Sequence, residues 1–216
     1  MNFLSHMLLS GTDERILVGN FMGDFVKGPL GDRFPEQIRQ GLMLHRRIDS
    51  FADRDDLFRR SRRRLDDSYG LYRGVLVDLF YDHFLVVGWG SWCDEALDDY
   101  LIRTRLIIEQ HQAEMPERLQ RLLPTIFEVL LPSYGSVGGI AIALERMSRR
   151  VARKNPLAGA EAALMQNYAG LREDFNGFFP RALSYAGEQI AAGIPQVVTQ
   201  PPGIETGVLH GQRRSN

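Results

Sequence analysis

Three apolar stretches of this 216-residue chain carry polar residues at helical spacing, and those residues are of the types that hold metals and phosphates. The first stretch is LHRRIDSFAD, residues 44–53. At about 100° per residue, Gly41, Leu44, Ile48, Phe51 and Ala52 form one face. His45, Arg46, Asp49 and Asp53 line its border, with Leu42 among them. Arg47, Ser50 and Arg54 are expected to point away from the core. Taken alone, His45/Asp49 and Arg46/Asp49 are ordinary helix-surface pairs worth about 0.3 kcal/mol each. The second stretch, VLVDLFYDHFLVV at residues 75–87, is apolar around its whole circumference, which marks a buried helix. It nevertheless carries Asp78, Asp82 and His83. Two carboxylates four residues apart in a dry interior repel each other and lack solvation. Either buried arginines compensate them or a divalent cation does, since carboxylate oxygen and imidazole nitrogen are its natural ligands.

The third stretch is GNFMGDF, residues 19–25. Asn20 and Asp24 are four apart, as are Gly19 and Gly23, whose missing side chains allow a helix or ligand to come close to the backbone. Asn2 and His6 repeat the polar spacing in MNFLSH. A single histidine in an apolar segment is usually a core residue with its hydrogen bonds satisfied, so His6 by itself carries little weight.

The elements that must position these groups are helices; no alternating strand pattern is visible. The expected fold is all-α, a single multi-helix bundle domain over residues 1–187. Thr12 or Asp13 is the expected N-cap of the helix carrying residues 19–25, and Pro35 opens the helix of the first stretch. Leu97, Leu101 and Ile108 mark a further helix. Pro124 and Pro132 interrupt the next segment, and Pro156 is expected to stop a helix that starts near residue 138. From residue 188 to 216 the chain is rich in Pro, Gly and polar residues, so it reads as a flexible tail.

The net charge is -1, which gives the whole molecule no strong pull toward nucleic acid or membrane. Neither a helix-turn-helix signature nor a basic strand interleaved with aromatics is present. Cys93 is the one cysteine, so disulfide and cysteine-rich zinc frameworks are excluded. The first residues lack a basic leader pattern. No apolar run is long enough for a membrane span. The expected location is the cytoplasm.

Four blocks, MNFLSH, GNFMGDFVKG, HRRIDSFAD and DLFYDHFL, together resemble the acyl carrier protein phosphodiesterases in order and spacing. The resemblance covers about the first 86 residues well; later it rests mainly on ALERMSRR and FFPRAL. Ser5 departs from the pattern, where alanine is expected. This family resembles a divergent branch of the helical HD-type phosphohydrolases, although the adjacent pair here, Asp82-His83, has the reverse order.

The resemblance implies an Mn²⁺-dependent hydrolase, with Mg²⁺ or another divalent metal as alternatives. It would cut the phosphodiester joining 4′-phosphopantetheine to a serine of holo acyl carrier protein. The pool of expected metal ligands is Asp24, His45, Asp78, Asp82 and His83. Arg46 is the expected phosphate clamp. Asp49 is expected to orient His45 or Arg46, or to act as general base. Asn20 is expected as a supporting or phosphate contact, and Asp53 as helix support. The acidic carrier is expected to dock on Arg59, Arg60, Arg62, Arg63 and Arg64, or on Arg146, Arg149, Arg150, Arg153 and Lys154; either run could instead be a solubilising face. Two other functions fit the same residues: a metal phosphohydrolase for a nucleotide or other small phosphoester, and a non-enzymatic helical module that binds carrier protein.

Overall fold

The computed structural model describes residues 1–194, and among these it contains helices and no strand. The order is α1 (Phe3–Leu8), α2 (Glu14–Phe21), α3 (Glu36–Arg54), α4 (Asp56–Arg64), α5 (Tyr72–Val87), α6 (Leu97–Gln110), α7 (Glu117–Gln120), α8 (Leu123–Thr125), α9 (Leu131–Ser133), α10 (Val137–Arg150) and α11 (Glu161–Ala191). This is the all-α architecture expected from the sequence.

Local chemistry sets most of the boundaries. Asp13 caps α2, its Oδ1 accepting from the Arg15 and Ile16 amides at 2.9 and 3.0 Å. The expected single helix through residue 25 instead ends at Phe21, and Gly23–Phe25 forms a separate 3₁₀ turn. Asp24 and Asn20 therefore do not share one helix face. Pro35 precedes α3 as expected, and Asp55 caps α4 through the Leu57 and Phe58 amides. Pro124 and Pro132 each lack an amide donor, and the chain between them passes through a π turn at Ile126–Leu130. α10 ends at Arg150, earlier than Pro156 suggested. The Ser148 carbonyl at that end accepts from the Val151 amide at 3.3 Å and from the Asn155 side chain at 3.1 Å. α11 runs past residue 187 to Ala191, and the expected tail from residue 195 onward lies outside the described residues.

The core is built around α5, which buries Leu76, Val77, Leu79, Phe80, Tyr81, Phe84 and Leu85. α1, α4, α10 and α11 pack against it. α2 and α3 touch backbone to backbone: a Cβ on Gly19 would stand 2.2 Å from the Ile38 carbonyl, and one on Gly41 would stand 2.2 Å from that of Ile16. Only glycine allows this approach, and it brings Asn20 and the following turn against the face of α3 that carries His45.

The arginine run on α4 is divided by its partners. Asp174 of α11 is fully buried and holds Arg60, Arg64 (Nε to Oδ2, 2.8 Å) and the Ser61 hydroxyl at 2.9 Å. Arg62 pairs with Asp53 and lies over the Phe58 ring, while the Arg59 Nε donates to the Asp53 carbonyl at 2.8 Å. Arg63 is exposed. On α10, Arg149 pairs with Glu145, and Arg146 and Arg150 are exposed, as is Arg153 just beyond the helix.

Candidate metal centre

Two imidazoles and a carboxylate meet where α1, α2 and α3 converge. The rings of His6 and His45 stack with centroids 3.8 Å apart and planes 17° apart. The His6 Nε2 lies 3.2 Å from Asp49 Oδ1, and the His45 Nε2 lies 3.3 Å from Asp49 Oδ2 and 3.6 Å from Asp24 Oδ1. His6, His45 and Asp49 each offer one ligand atom, all within 4.8 Å of one another. Both rings are buried, while Asp49 and Asp24 are partly open to solvent.

Asn20 fixes how both rings are protonated. It is fully buried, and its amide nitrogen donates to the His6 carbonyl at 2.8 Å and the Ser10 hydroxyl at 2.9 Å. Its side-chain oxygen must therefore accept, and the His6 Nδ1, 2.8 Å away, must donate. The His45 Nδ1 donates to the Asn20 backbone carbonyl, also at 2.8 Å. In the neutral His6 ring the Nε2 is then a bare lone pair aimed at carboxylate oxygen, while the His45 Nε2 faces Asp49 and Asp24. Burial lowers the His6 pKa to about 4, with the His45 charge adding to the effect, so the ring is neutral at pH 7. Its Nε2 has no hydrogen-bond partner among the described residues although it is buried. Acceptor facing acceptor is unfavourable unless a cation stands between them. Burial also opposes charge on His45, but Asp24 and Asp49 more than offset it and raise the ring to about 9. Burial pushes the Asp49 carboxyl up, yet both histidines and the Met1 ammonium hold it far below the usual carboxylate range.

This donor set suits a divalent metal such as Mn²⁺ or Zn²⁺. Ligands about 2.1 Å from a shared ion stand roughly 3 to 3.5 Å from one another, and the distances from the His6 and His45 Nε2 atoms to Asp49, 3.2 and 3.3 Å, fall in that range.

Other residues singled out in the sequence lie at graded distances from the cluster. Asp78 stands at its edge: the Met1 α-ammonium sits 2.9 Å from Asp78 Oδ1 and 3.0 Å from Asp49 Oδ1. Asp82 is fully buried but turned toward α1, where Oδ2 accepts from the Leu4 amide at 3.0 Å and Oδ1 from the Ser5 amide at 3.0 Å and hydroxyl at 2.5 Å. His83 faces the opposite side of α5, donating from Nδ1 to the Tyr134 carbonyl at 2.7 Å while its Nε2 meets the Tyr168 hydroxyl at 3.0 Å. The structure therefore does not bring Asp82 or His83 into the cluster. Arg46 lies beside His45 but its Nη2 donates to the Gly28 and Val26 carbonyls at 2.7 and 3.3 Å, tying that loop to α3. Arg47, expected to point away, instead donates to Gln189 of α11. His6 is the member of the cluster that the sequence underrated; the Asn2/His6 spacing beside a buried asparagine was its only signal.

Gly23 makes room for the cluster. A Cβ at that position would stand 2.1 Å from the His45 Cγ. Gly23→Ala is expected to displace the His45 ring and weaken Mn²⁺ binding by roughly tenfold or more, with far-ultraviolet circular dichroism unchanged. Titration with Mn²⁺ checks this, and unaltered affinity would mean that the ring is not held where it is needed.

The family model for acyl carrier protein phosphodiesterase matches residues 1–182. Curated relatives carrying that name include proteins from Yersinia enterocolitica, 33% identical over 86% of this chain and 97% of that protein, and Yersinia pestis, 31% identical with the same coverages. A third, from Photorhabdus laumondii, is 30% identical over 91% of this chain and all of its own length. No solved structure matches the chain significantly. With a family match running through α1 to α11 and relatives aligned over nearly their whole length, the chain belongs to the acyl carrier protein phosphodiesterase family.

Proposed function

We propose that this chain hydrolyses the phosphodiester between 4′-phosphopantetheine and serine of holo acyl carrier protein, at a divalent-cation site held by His6, His45 and Asp49 with Asp24 beside them. One observation carries the reading: two buried imidazoles turn their Nε2 atoms toward a single carboxylate, and that of His6 is unpartnered among the described residues. A bound divalent cation supplies charge for the non-bridging phosphate oxygens and a water of lowered pKa. Asn20 anchors both Nδ1 atoms and so keeps both Nε2 atoms aimed at the site. Asp24, about half exposed, is placed to accept a proton from an attacking water. Arg46, one residue from His45 on the open side of α3, adds a permanent positive charge near the phosphoryl group.

The test is incubation of the purified protein with holo carrier and Mn²⁺, following loss of the phosphopantetheine mass. Cleavage abolished by chelator and restored by Mn²⁺ is expected. Cleavage that survives complete chelation would end the metal reading; activity on nucleotides with none on holo carrier would favour a small-substrate phosphohydrolase.

The carrier docks on the arginines that ion pairs leave least neutralised, Arg63 of α4 and Arg146 and Arg150 of α10. Arg60 and Arg64 serve the fold through Asp174. The double variant Arg63→Glu with Arg150→Glu is expected to raise KM for holo carrier about tenfold and flatten its salt dependence, with kcat little changed. Steady-state kinetics at two salt concentrations decide it, and unchanged kinetics would remove the docking surface.

A further inference from the structure

A groove of about 720 Å³ opens directly from the candidate metal centre. Asp24, His45 and Asp49 form its polar end. Away from that end Val26, Pro29 and Leu30 on one side and Met43 of α3 on the other supply apolar wall, among the charged side chains of Lys27, Asp32, Arg39, Arg46 and Arg47. A second, smaller cavity of about 320 Å³ shares Asp24 and Asp49 but is lined by α4, α5 and α10, the side that carries the arginine runs.

The loop forming the groove's outer wall is held by arginines. Arg33 donates to the Leu30, Lys27 and Pro29 carbonyls, Arg46 to those of Val26 and Gly28, and Arg39 to that of Gly31. Every carbonyl from residue 26 to 31 is therefore occupied. This gives an irregular loop with Gly28 and Gly31 at positive φ the fixed shape of a binding wall. Its amides are not tied up in the same way: Lys27, Gly28, Leu30 and Gly31 donate no hydrogen bond from their backbone N–H among the described residues. A neutral ligand that accepts hydrogen bonds and has apolar segments suits such a wall. Apart from His45, no aromatic ring among the described residues lines the groove, so these offer a nucleobase little to stack on.

Resting on the function proposed above, we infer that this groove receives the pantetheine arm of the substrate. The phosphodiester then lies at the polar end, and the serine of the carrier faces the smaller cavity on the arginine side. The arm is long and carries two amides between apolar segments, and so matches a groove whose apolar side chains stand beside unpaired backbone amides and whose Arg39 and Arg46 are already bonded to the loop. The groove thus specifies that the retained substituent is the arm and that the serine leaves on the other side, and it selects against phosphodiesters whose retained substituent carries a planar base.

The experiment uses the full chain with free pantetheine, which lacks the phosphate, measured by calorimetry and in parallel with holo-carrier hydrolysis. Met43→Trp fills the groove from α3, and Leu30→Trp fills it from the loop should the first variant fail to fold. The expected result is that pantetheine binds the unmodified protein and binds the variant at least tenfold more weakly. KM for holo carrier should rise by a similar factor, while Mn²⁺ affinity stays unchanged. Pantetheine that binds neither protein, or binds both equally, overturns the groove assignment. So does holo-carrier hydrolysis that a filled groove leaves intact, in which case the proposed reaction still stands. Failure of the unmodified protein to cleave holo carrier overturns the reaction instead, and pantetheine binding then shows separately whether the groove holds the arm.

Discussion

His6→Ala is expected to abolish measurable Mn²⁺ binding and to lower turnover of holo carrier by a factor of roughly 100 or more, with the helical fold retained. The His6 Nε2 is buried, neutral and aimed at Asp49 with no hydrogen between them. Such an atom contributes little to stability in the metal-free protein, since it makes no hydrogen bond there. What the variant loses structurally is ring packing on His45 and the bond to Asn20, worth roughly 2 kcal/mol together. The stability loss is therefore modest while the functional loss is large. His83→Gln gives the contrasting result. Both ring nitrogens of His83 already have partners, Tyr134 and Tyr168, on the far side of α5. Its replacement should cost stability and leave Mn²⁺ affinity within about twofold of the unmodified protein. Metal titration of the two variants settles the matter. Normal affinity in His6→Ala, or lost affinity in His83→Gln, would reverse the assignment.

Those two histidines also mark the limit of what sequence could supply. Periodicity in residues 36–54 placed His45 and Asp49 together correctly, because both lie on one regular helix whose core face is set by Leu44 and Ile48. The same reasoning failed for His83. In a helix buried on every side, periodicity does not distinguish which buried face looks toward α1 and which toward α11. His6 was underrated for a different reason. Its importance comes from α1, a six-residue helix whose orientation depends on contacts with α2 and α5. Nothing local in MNFLSH encodes that orientation. Gly19 and Gly23 were legible as close-approach residues, but their partners, Gly41 and the His45 ring, follow only from the helix pairing. The α4 arginine run shows the opposite error: adjacent charges looked like one surface, yet a single buried carboxylate 110 residues away takes two of them inward.

Asp82 gives the largest expected effect on folding. As a carboxylate inside an apolar helix it has the sequence signature of a metal ligand, but its two oxygens accept three hydrogen bonds from the start of α1. The first turn of a helix has amides with no partner inside the helix, and Asn2, at the N-cap, provides no side-chain bond. Asp82 fills that role from a different helix, so it fastens α1 to α5. Removing it would leave the Leu4 and Ser5 amides buried without acceptors, together with a small void. Asp82→Ala is expected to cost roughly 3 to 4 kcal/mol, and thermal or denaturant unfolding would measure it. Because α1 carries His6, reduced activity in that variant would not by itself distinguish a cap from a ligand. Asp82→Asn makes the distinction: it retains an oxygen for Ser5 and gives up the charge that a ligand would need. If Asp82 is a cap, saturating Mn²⁺ should raise the Tm of Asp82→Asn by about as much as it raises that of the unmodified protein, since ligand binding stabilises a fold whose ligands are intact. In His6→Ala the same addition should leave Tm where it was. An Mn²⁺-induced rise that disappears in Asp82→Asn would instead make Asp82 a ligand and require α5 to supply one wall of the metal centre.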